Sequence, residues 1–565
     1  MAAMATSSAR LEKLTQNAGL ILHLPRPETI RRWDCKSSHS HLKFGQLMNT
    51  LFSLKSFDLL RRFTRSAMNI PSVTAAIIVI GDEILKGYTV DTNSNYLCKR
   101  LRQLGVRVDR ISVIPDNVDV IAEEVRKCSE KYTHVLTAGG IGPTHDDMTF
   151  EGVAKAMNDH TIINKDLSAV VEKFFGKQEN DSTPAMKLAQ IPSKSELVWG
   201  MDKKRGKPSL YPVVCISNIT VLPGVPTLLD RAFDMIEDRF RNKHMKFFNE
   251  KLYVTVDEVS IASLLTEVAK KYEGRVNLGS YPAFGHSYYR VKLTLDSTDE
   301  SSLKEALAEL LQVLPPGRVI DFDETPEEHA AQKLEKYMKR LASESPEFHA
   351  KLSESIEIID EAIKKYKWQE LSVAFNGGKD CTALLHLVHA LVCKHSPDVR
   401  GDEKIKALYL RSRLPFEEME QFIEEGRTRY KLNLATCRGN IKEALFDFTS
   451  KHPEVRAVFM GTRASDPNSH QLDPWAKTDP GWPELMRISP LIKWTYSETW
   501  RFLRDLYVPY CQLYDQGYTS IGNKDNTHKN PNLQFTDNLG LVRHRPAYML
   551  KDGSLEREGR KVNGL

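Results

Sequence analysis

The stretch that decides the fold is LSVAFNGGKD, residues 371–380, followed by the apolar run CTALLHLVHALVC, residues 381–393. LSVAF reads as a short buried strand, and the leucines of the second run recur at helical spacing, so a Gly-Gly turn joins a strand to a helix. Such a turn lets backbone N–H groups approach an anion, and the helix N-terminus and Lys379 add positive charge. The stretch predicts a phosphate cradle. The alternative is an ordinary helix start, where a Gly-Gly turn followed by an aspartate is common.

The same alternation extends to both sides of this stretch. IKALYL, LNLATC and RAVFMG read as further strands downstream, and from residue 73 TAAIIVI, VRVDRISVI and THVLTA read as strands separated by helices. Alternating strands and helices of this length imply βαβ units and parallel sheets covered on both faces. We expect an α/β protein with two separate doubly wound parallel-sheet domains, joined by a small α+β appendage and a helical linker.

The domain boundaries are expected where this alternation starts and stops. Residues 246–323 mix strand and helix patterns without a catalytic constellation, and residues 324–366 are charged and helical in period. The predicted divisions are a basic targeting or disordered segment 1–70, an α/β domain 71–245, an α+β subdomain 246–323, a helical linker 324–366 and a nucleotide-binding domain 367–565.

Composition excludes several classes of protein. A chain of 565 residues is too long for one core, and with 41% hydrophobic and 27% charged residues it contains no apolar run long enough to span a bilayer. The net charge of +5 is too small for a nucleic-acid-binding face. Eight cysteines without a C-x-x-C pair argue against a zinc site or a disulfide framework. We expect small-molecule ligands, no nucleic acid and no membrane, whereas the oligomeric state stays open.

Residues 1–70 are rich in arginine, lysine and serine. This composition is typical of a mitochondrial transit segment, and a disordered basic tail is the alternative. Met68, just before the first strand, offers a start for a shorter cytosolic form. We therefore expect a cytoplasmic protein with a second, mitochondrial form.

The loop NGGKD differs from the common G-x-x-x-x-G-K-[ST] loop because its glycines are adjacent and Asp380 follows the lysine. It resembles the PP-loop of ATP pyrophosphatases, which break ATP between its α and β phosphates. ISPLIKW at 488–494 and VPYCQLYDQGYTSIG at 508–522 resemble phosphoadenylyl-sulfate reductases. Those reductases use a cysteine in a C-G-x-H setting near the C-terminus, which this chain lacks, since Cys511 is its last cysteine.

The strongest resemblance is to eukaryotic FAD synthases and covers nearly the whole of the last 200 residues. It is carried by FNGGKDCTALLHL at 375–387, GTRASDP at 461–467, TDPGWP at 478–483 and RHRPAYML at 543–550. The resemblance implies that the domain transfers AMP from ATP, with Mg²⁺, to FMN, giving FAD and pyrophosphate. In-line attack by the FMN phosphate on the α-phosphorus needs neutralisation of charge but no protein nucleophile.

The resemblance also implies the residues of the site. Gly461, Thr462 and Arg463 follow a strand and are expected at the carboxyl edge of the sheet. Arg543 and Arg545 lie in a tail poor in predicted structure, for which a solvated basic tail is the alternative. The expected catalytic residues are Lys379, Asp380, Arg463 and Asp466; the ATP-binding residues are Phe375, Asn376, Gly377, Gly378, Lys379, Asp380, Leu410 and Gly461; and the FMN-binding residues are Thr462, Arg463, Asp466, Asp479, Trp482, Arg543 and Arg545.

Two of these assignments carry open questions. Asp466 or Asp479 is expected either to ligate Mg²⁺ or to hydrogen-bond the isoalloxazine ring. The family's motif reads G-T-R-R-T-D-P, so Ala464 stands where a second arginine is expected, and the prediction relies on Arg463, which can hold a phosphate bidentately. Trp482 is the candidate for stacking on flavin. Tyr496, Trp500 and Tyr510 are expected in the core, because aromatic residues at helical spacing usually pack there.

The first domain carries a second set of motifs. GDEILKGYTVDTNS at 81–94 and GGIGPTHDDMT at 139–149 resemble the two signatures of molybdopterin-binding domains, in the branch shared with competence-damage-inducible proteins, and PGVP at 223–226 matches a third. The expected pocket residues are Gly81, Asp82, Glu83, Asp91, Asn93, Gly139, Gly140, Gly142, Thr144, Asp146 and Asp147. Clustered carboxylates suit a divalent metal and a phosphorylated ligand, with Asp146 and Asp147 as candidate ligands of Co²⁺ or Mn²⁺. The alternative is that these acids cap turns and helices.

Some members of that branch hydrolyse nucleotide pyrophosphates, so the first domain is interpreted as a metal-dependent FAD or ADP-ribose pyrophosphatase, or as a regulatory remnant of one. Two rival functions for the chain stay open: a molybdopterin adenylyltransferase, and a scaffold that delivers flavin to apo-flavoproteins. A tRNA-modifying PP-loop enzyme is disfavoured, because catalytic cysteines and a basic groove are not evident. Cys381 and Cys437, near the loops, are candidates for redox sensitivity.

Overall fold

The computed structural model describes residues 73–560, apart from 179, 181–182, 204 and 396–404. The predicted targeting segment 1–70 and the start at Met68 lie outside these residues, so the mitochondrial form stays a prediction. The chain divides into two compact units, one ending at Lys246 and the other beginning at Phe247. Over the described ranges, no helix is both long and apolar enough to cross a bilayer.

The N-terminal unit is built on a six-stranded sheet of order β2-β1-β3-β10-β9-β6. Strands β2, β1, β3 and β10 are parallel, and β9 is antiparallel to both its neighbours. The elements are β1 Thr74–Ile80, α1 Asp82–Leu85, α2 Asn93–Gln103, β2 Arg107–Ile114, α3 Val118–Lys131, β3 His134–Ala138, α4 Thr149–Ala156, β4 Thr161–Ile163, α5 Lys165–Phe175, β5 Gln190–Pro192, β6 Glu196–Val198, β7 Met201–Asp202, β8 Lys207–Pro208, β9 Val213–Ile216, β10 Ile219–Leu222 and α6 Pro226–Ile236.

Helices cover both faces of this sheet, which explains why β1 reads as a continuous apolar run rather than an alternating one. Ile78 and its same-face neighbours pack with Ile121 of α3 and Phe150 of α4. Ile77, on the opposite face, packs with Leu97 of α2 and other residues of that face. Along the chain, β1 is followed by β2, which pairs with one edge of β1, and then by β3, which pairs with the other edge. The switch point between β1 and β3 is where open α/β sheets form their ligand crevice.

The α+β subdomain is a four-stranded antiparallel sheet of order β12-β13-β11-β14 with two helices. Its elements are β11 Phe248–Val254, α7 Glu258–Lys271, β12 Asn277–Pro282, β13 Val291–Ser297, α8 Glu300–Val313 and β14 Val319–Ile320. It docks on the C-terminal domain through the loop between β12 and β13, where the Tyr288 hydroxyl donates to the carbonyls of Leu503 and Val508.

The predicted linker is helical, but it is not a free connector. It forms α9 Ala330–Glu344 and α10 Pro346–Lys365. Leu334, Leu341, Phe348 and Leu352 of these helices are buried in the same core as the helix that follows the glycine loop. The apolar face of each helix therefore completes the C-terminal core, a partnership that helical periodicity alone does not reveal.

The C-terminal domain is a second doubly wound sheet, of order β17-β16-β15-β18-β20-β19, in which only the edge strand β19 is antiparallel. Its elements are β15 Leu371–Ala374, α11 Lys379–His395, β16 Lys406–Leu410, α12 Glu417–Arg429, β17 Asn433–Cys437, α13 Ile441–Lys451, β18 Ala457–Phe459, β19 Trp475–Lys477, β20 Met486–Ile488, α14 Tyr496–Asp505, β21 Gln534–Thr536 and β22 Val542–His544. Short 3₁₀ helices at Gln512–Gln516 and Gly553–Arg557 flank the sheet edge. The predicted fold class, with doubly wound sheets in separate N- and C-terminal domains, is confirmed.

Candidate functional site

The glycine loop between β15 and α11 is shaped by close packing. Gly377 has φ +74°, and a Cβ there would collide with the Met419 sulfur of α12. The Asn376 side chain accepts a hydrogen bond from the Gly378 amide at 2.9 Å, and the Lys379 amide donates to the Tyr514 hydroxyl at 3.0 Å. The next amides belong to the first turn of α11, where no intrahelical acceptor exists. The loop therefore presents a helix N-terminus in a fixed position at the sheet edge.

Gly461 brings the end of β18 against this loop. A Cβ on Gly461 would lie 2.8 Å from the Cys381 nitrogen and 3.0 Å from the Asp380 carbonyl carbon. Since β15 and β18 are neighbours on the two sides of the topological switch, their carboxyl ends form the crevice of the sheet. The glycine loop and the Gly461–Arg463 turn are therefore the two walls of one site, as expected.

A buried cluster of charges fills this crevice. The Lys379 ammonium lies 2.9 Å from Asp380 Oδ2, and Arg463 Nε lies 3.0 Å from Asp380 Oδ1, which also accepts a hydrogen bond from the Thr499 hydroxyl at 3.1 Å. Glu556 accepts hydrogen bonds from both Lys379 and Arg463. Lys379 and Arg463 are 2% and 1% exposed, so the pairing takes place out of water.

The surroundings fix the charge states of this cluster. Burial by itself raises the pKa of Asp380, but the Lys379 ammonium and the Arg463 guanidinium outweigh burial and hold the pKa below its ordinary value. Burial likewise opposes the charge on Arg463, and Asp380 and Glu556 outweigh it, so the pKa of the guanidinium is raised. Asp380 is therefore a carboxylate and Arg463 a cation at neutral pH.

The guanidinium of Arg463 nevertheless does not use all of its hydrogen-bond donors. Its Nε and Nη1 atoms are buried without hydrogen-bond partners among the described residues, because the Nε approach to Asp380 lacks hydrogen-bond geometry. Unpaired buried donors are costly, and in native proteins they commonly mark a place for a ligand or water. The Arg463 guanidinium therefore has capacity to donate further hydrogen bonds to an anionic group.

The remaining predicted ATP-binding residues frame the crevice in different ways. Phe375 is 1% exposed, and its ring packs against Phe422 and Gly426, so its side chain belongs to the core. Leu410 ends β16, the strand next to β15. Thr462 lies between Gly461 and the buried Arg463 and is half-buried. None of these side chains adds charge to the site.

The predicted FMN-binding residues are brought together only in part. Asp466 Oδ2 accepts a hydrogen bond from the Arg463 amide at 2.9 Å, and Asp466 Oδ1 lies 3.9 Å from Arg463 Nη2, so Asp466 adjoins the cluster. The Asp479 side chain is 69% exposed and lies 3.8 Å from Arg487. Trp482 is half-buried, with Lys442 Nζ 6.0 Å from its ring centre. Ala464 donates its amide to the Ile492 carbonyl at 2.8 Å, so its backbone holds the turn.

Arg543 and Arg545 lie on a hairpin rather than in an unstructured tail. Arg543 is in β22 and pairs with Asp537 at 2.5 Å, and the Arg545 guanidinium lies 5.5 Å from the Phe535 ring centre. Both side chains are exposed, and no contact joins either to the charge cluster over the described ranges. The three aromatic residues predicted in the core are all buried there: Tyr496, Trp500 and Tyr510.

Sequence reasoning missed several residues of the site. Glu556 and Tyr514, which bind Lys379 through its side chain and its amide, are the clearest. Arg560 is half-buried against Gly522, and burial, followed by the nearby Arg557, lowers the pKa of its guanidinium. The sequence feature that contains Glu556 is the charged stretch LEREG at 555–559, which follows the matched segment RHRPAYML at 543–550. It does not indicate the partner of Glu556.

The two cysteines proposed as redox-sensitive are protonated at neutral pH. Burial, followed by the Asp380 charge, raises the pKa of the Cys381 thiol to about 12. Burial also raises the pKa of Cys437, with Asp447 as the second cause. Because the thiolate is the reactive form, this geometry argues against redox sensitivity at either residue.

The N-terminal unit has its own cavity, of about 760 Å³, at the switch point between β1 and β3. It is lined by seven of the eleven predicted pocket residues: Gly81, Glu83, Gly139, Gly140, Gly142, Asp146 and Asp147. Gly139 and Gly140 have φ of +110° and +64°, and a Cβ on Gly139 would collide with the Ile80 carbonyl, so the loop after β3 can pass directly over the end of β1. Asp116, Arg205 and Arg231 also line the cavity and were not predicted.

The predicted acids of these motifs mostly bond to neighbours in sequence, whereas Asn93 joins two distant loops. Asp91 accepts hydrogen bonds from the amide and hydroxyl of Ser94, Asn93 donates to the Gly224 carbonyl at 2.7 Å, and Asp82 pairs with Lys86 at 2.8 Å. Asp147 accepts from the Thr144 amide at 2.9 Å. These acids and amides close turns, as the capping alternative predicted, although Asp146 and Asp147 also face the cavity.

Asp116, which lines this cavity, has a raised pKa. Burial raises its pKa most, the Asp82 amide that donates to its Oδ2 at 2.9 Å opposes this, and the carboxylates of Glu83, Asp82 and Asp146 raise it further. Mutual repulsion of this kind is relieved by a cation. However, no group of three or more metal-ligating side chains is present among the described residues in either unit. Neither site forms a protein-only metal cage, so a bound cation would need oxygen ligands from the substrate.

The fold and the site are those of an α/β nucleotide-binding protein of the PP-loop class. Its glycine loop and its Gly461–Arg463 turn form an anion site at the switch point of the sheet. Residues 370–529 match the phosphoadenosine phosphosulfate reductase domain, residues 76–242 match the "Probable molybdopterin binding domain", and residues 246–323 match the middle domain of FAD synthase. The chain is 39% identical over 504 residues to "Probable FAD synthase" of Caenorhabditis elegans, covering 86% of this chain and 96% of the relative. The chain belongs to the FAD synthase family.

A second relative agrees with this assignment. "Probable FAD synthase" of Caenorhabditis briggsae is 36% identical over 507 residues and covers 86% of this chain and 96% of the relative. Among solved structures, Candida glabrata FMN adenylyltransferase in complex with FMN and an ATP analogue is 27% identical, with a TM-score of 0.39, covering 42% of this chain and 97% of that one. CinA from Thermoplasma acidophilum is 31% identical, with a TM-score of 0.27, covering 30% of this chain and 98% of that one.

Proposed function

We propose that the C-terminal domain transfers the AMP group of ATP to FMN, giving FAD and pyrophosphate. The observation that carries the proposal is the buried Lys379–Asp380–Arg463 cluster at the switch point, with two unpaired N–H groups on Arg463. Two cations and a helix N-terminus in a water-poor crevice suit the phosphates of a nucleotide. Family membership supplies the acceptor, because the related chains are named FAD synthases.

The chemistry follows from these groups. An oxygen of the FMN phosphate attacks the α-phosphorus in line, and the bond to pyrophosphate breaks. The glycine loop and the first turn of α11 hold the phosphates, and Arg463 directs its free N–H groups at charge that develops on the phosphoryl oxygens. No protein nucleophile is required, which agrees with the raised pKa of Cys381.

Mg²⁺ is expected to arrive on ATP and to neutralise phosphate charge there. Asp466 is the candidate protein carboxylate, because it adjoins Arg463, whereas Asp479 is exposed and lies beside Arg487.

The proposal is tested by incubating the full-length protein with ATP, Mg²⁺ and FMN. We expect FAD and pyrophosphate to appear in a 1:1 ratio, measured by chromatography and a coupled pyrophosphate assay. Flavin binding without pyrophosphate release would support the delivery scaffold instead. AMP transfer to molybdopterin but not to FMN would support the molybdopterin adenylyltransferase.

We also propose that the N-terminal cavity hydrolyses the pyrophosphate bond of FAD or ADP-ribose. Its volume of about 760 Å³ is in the range of small-molecule sites, and carboxylates and the guanidinium groups of Arg205 and Arg231 line the same space. Carboxylates with a substrate-bound cation, and arginines on the phosphates, are the parts that such a hydrolysis needs.

The hydrolase proposal predicts that the full-length protein releases AMP from FAD with Mg²⁺, Co²⁺ or Mn²⁺. Arg231→Ala is expected to reduce the rate by about tenfold to a hundredfold, because it removes a phosphate-binding cation. The assay is run without added pyrophosphate, so that the synthase reaction cannot run backwards and convert FAD to FMN and ATP. Absence of AMP release with all three metals would contradict the hydrolase and leave a regulatory remnant.

A further inference from the structure

Glu556 occupies an unexpected position in the candidate site. It lies on the 3₁₀ helix Gly553–Arg557, and its carboxylate bridges two cations from different elements. Oε1 accepts a hydrogen bond from Lys379 Nζ, and Oε2 accepts one from Arg463 Nη2 at 2.5 Å. The side chain is 11% exposed. A carboxylate therefore stands between the two cations that the proposed function assigns to a phosphate group.

The charge balance of the cluster makes this position significant. The two cations Lys379 and Arg463 are neutralised by the two carboxylates Asp380 and Glu556, and a third carboxylate, Asp466, lies 3.9 Å from Arg463 Nη2. Asp380 belongs to the glycine loop itself and is held by the Thr499 hydroxyl. If Glu556 stayed in place, a polyphosphate would enter a buried cluster without net positive charge and would face a like charge, which is unfavourable out of water.

The backbone of Glu556 is held by hydrogen bonds, and over the described residues its carboxylate bonds only to the two cations. The Thr519 hydroxyl donates to the Glu556 carbonyl at 2.6 Å, and the Asn530 amide donates to the Leu555 carbonyl at 2.8 Å. Rotation about side-chain bonds alone would withdraw the carboxylate without unfolding the segment.

The hydrogen bonds of Arg463 favour replacement of the Glu556 carboxylate by a phosphate group. Glu556 satisfies Nη2, whereas Nε and Nη1 lack hydrogen-bond partners in the described part of the chain. A phosphate group carries more acceptor oxygens than a carboxylate and can accept two parallel hydrogen bonds from one guanidinium. Since Nε already lies 3.0 Å from Asp380 Oδ1, a phosphate in place of Glu556 would satisfy Nη1, which Glu556 leaves without a partner.

We propose that Glu556 is a built-in stand-in for substrate phosphate: it holds Lys379 and Arg463 in the ligand-free protein and releases them when the polyphosphate of ATP binds. The proposal rests on the proposed synthase function. Glu556 is a positioning residue in this scheme, because it acts on the affinity for nucleotide through the two cations and does not touch the reacting atoms.

The test is Glu556→Gln, which keeps the size of the side chain and removes its charge. Calorimetry on the full-length protein without FMN is expected to show at least a fivefold lower Kd for ATP, and likewise for inorganic pyrophosphate, because the competing charge is gone. The ligand-free variant is expected to have a lower Tm than wild type and a larger rise in Tm on addition of pyrophosphate.

Glu558→Gln is the matched control. Glu558 is an exposed carboxylate two positions along, and its loss changes the net charge equally. An equal gain in affinity in both variants would show a general charge effect and overturn the proposal. If Glu556→Gln does not fold, Glu556→Asp keeps the charge on a side chain one methylene shorter, and a smaller gain in affinity is expected.

Failure of this proposal is distinguishable from failure of the proposed function. If wild-type protein makes FAD but Glu556→Gln binds ATP and pyrophosphate no more tightly, with kcat reduced and the KM for ATP unchanged, Glu556 is a fixed part of the machinery and the stand-in is wrong. If wild-type protein makes no FAD although the variant binds pyrophosphate more tightly, the synthase function is wrong and the exchange of anions is supported.

Discussion

Replacing Asp380 by alanine is expected to reduce AMP transfer from ATP to FMN by about a thousandfold, because one carboxylate holds both cations of the site. Its two oxygens lie 2.9 Å from Lys379 Nζ and 3.0 Å from Arg463 Nε. Without it, two buried cations share only Glu556, repel each other and lose the orientation that the phosphates need. The rate of pyrophosphate release with ATP and FMN measures the effect.

Two further variants make the Asp380 prediction specific. Asp380→Asn keeps the shape of the side chain and its hydrogen bond with the Thr499 hydroxyl, so a similar loss of rate would assign the effect to charge rather than to a cavity. Glu361→Gln removes an exposed carboxylate from α10 and is expected to leave the rate unchanged. Thermal unfolding of each variant separates loss of activity from loss of fold.

The same variant discriminates between the two adenylyl-transfer functions. If the N-terminal unit were a molybdopterin adenylyltransferase, transfer would survive Asp380→Ala and be lost on changing Asp147, which faces the N-terminal cavity. The FAD synthase function predicts the reverse. Full activity of Asp380→Ala with FMN would therefore remove the C-terminal cluster from the mechanism.

The strands that position both sites could be predicted from the sequence because each is a local pattern. The apolar runs ending before Gly81 and Asn376 become β1 and β15, and the glycine motifs follow them directly. Parallel strands place their carboxyl ends at one edge, so the meeting of the glycine loop with the Gly461 turn follows from strand order. The local strand patterns and the order of the strands were together sufficient to predict the two loops that form the walls of the site.

Glu556 could not be predicted in the same way, because its partnership with Lys379 joins residues 177 positions apart. No periodicity or motif links them, and a glutamate in a charged tail reads as a solvated residue. Tyr514 is similar: its hydroxyl accepts the Lys379 amide across 135 positions. Side-chain pairing between distant elements depends on tertiary packing, which a single sequence does not encode in any local signal.

The acidic residues of the N-terminal motifs show a second limit of prediction from the sequence. Asp91 and Asp147 both lie in loops that follow strands of the sheet, yet Asp91 binds Ser94 at a helix start and Asp147 lines the cavity. An aspartate that closes a turn and one that lines a pocket favour the same neighbours, since both follow tight turns. The sequence therefore predicted the loops correctly without separating the two roles of their side chains.

Gly461→Ala is expected to damage both stability and AMP transfer although it removes no functional group. The added Cβ would lie 2.8 Å from the Cys381 nitrogen and 3.0 Å from the Asp380 carbonyl carbon, and these are backbone atoms that cannot rotate away. Forcing them apart is expected to lower the free energy of unfolding by about 2 kcal/mol. It also moves the start of α11, and a displacement near 1 Å at a catalytic centre costs about a hundredfold in rate.

Gly274→Ala is the control for this prediction, because it separates backbone strain from contact. Gly274 has φ +73° and nothing within 4 Å of an added Cβ, so the cost is conformational only, about 1 kcal/mol, with AMP transfer unchanged. Chemical denaturation gives the free energies of unfolding, and pyrophosphate release gives the rates. If the Gly461→Ala protein loses stability but retains its rate of AMP transfer, β18 can move away from the glycine loop without displacing Asp380. In that case the cluster would be held by α11 and Glu556 alone, and the Gly461 turn would serve the fold rather than the chemistry.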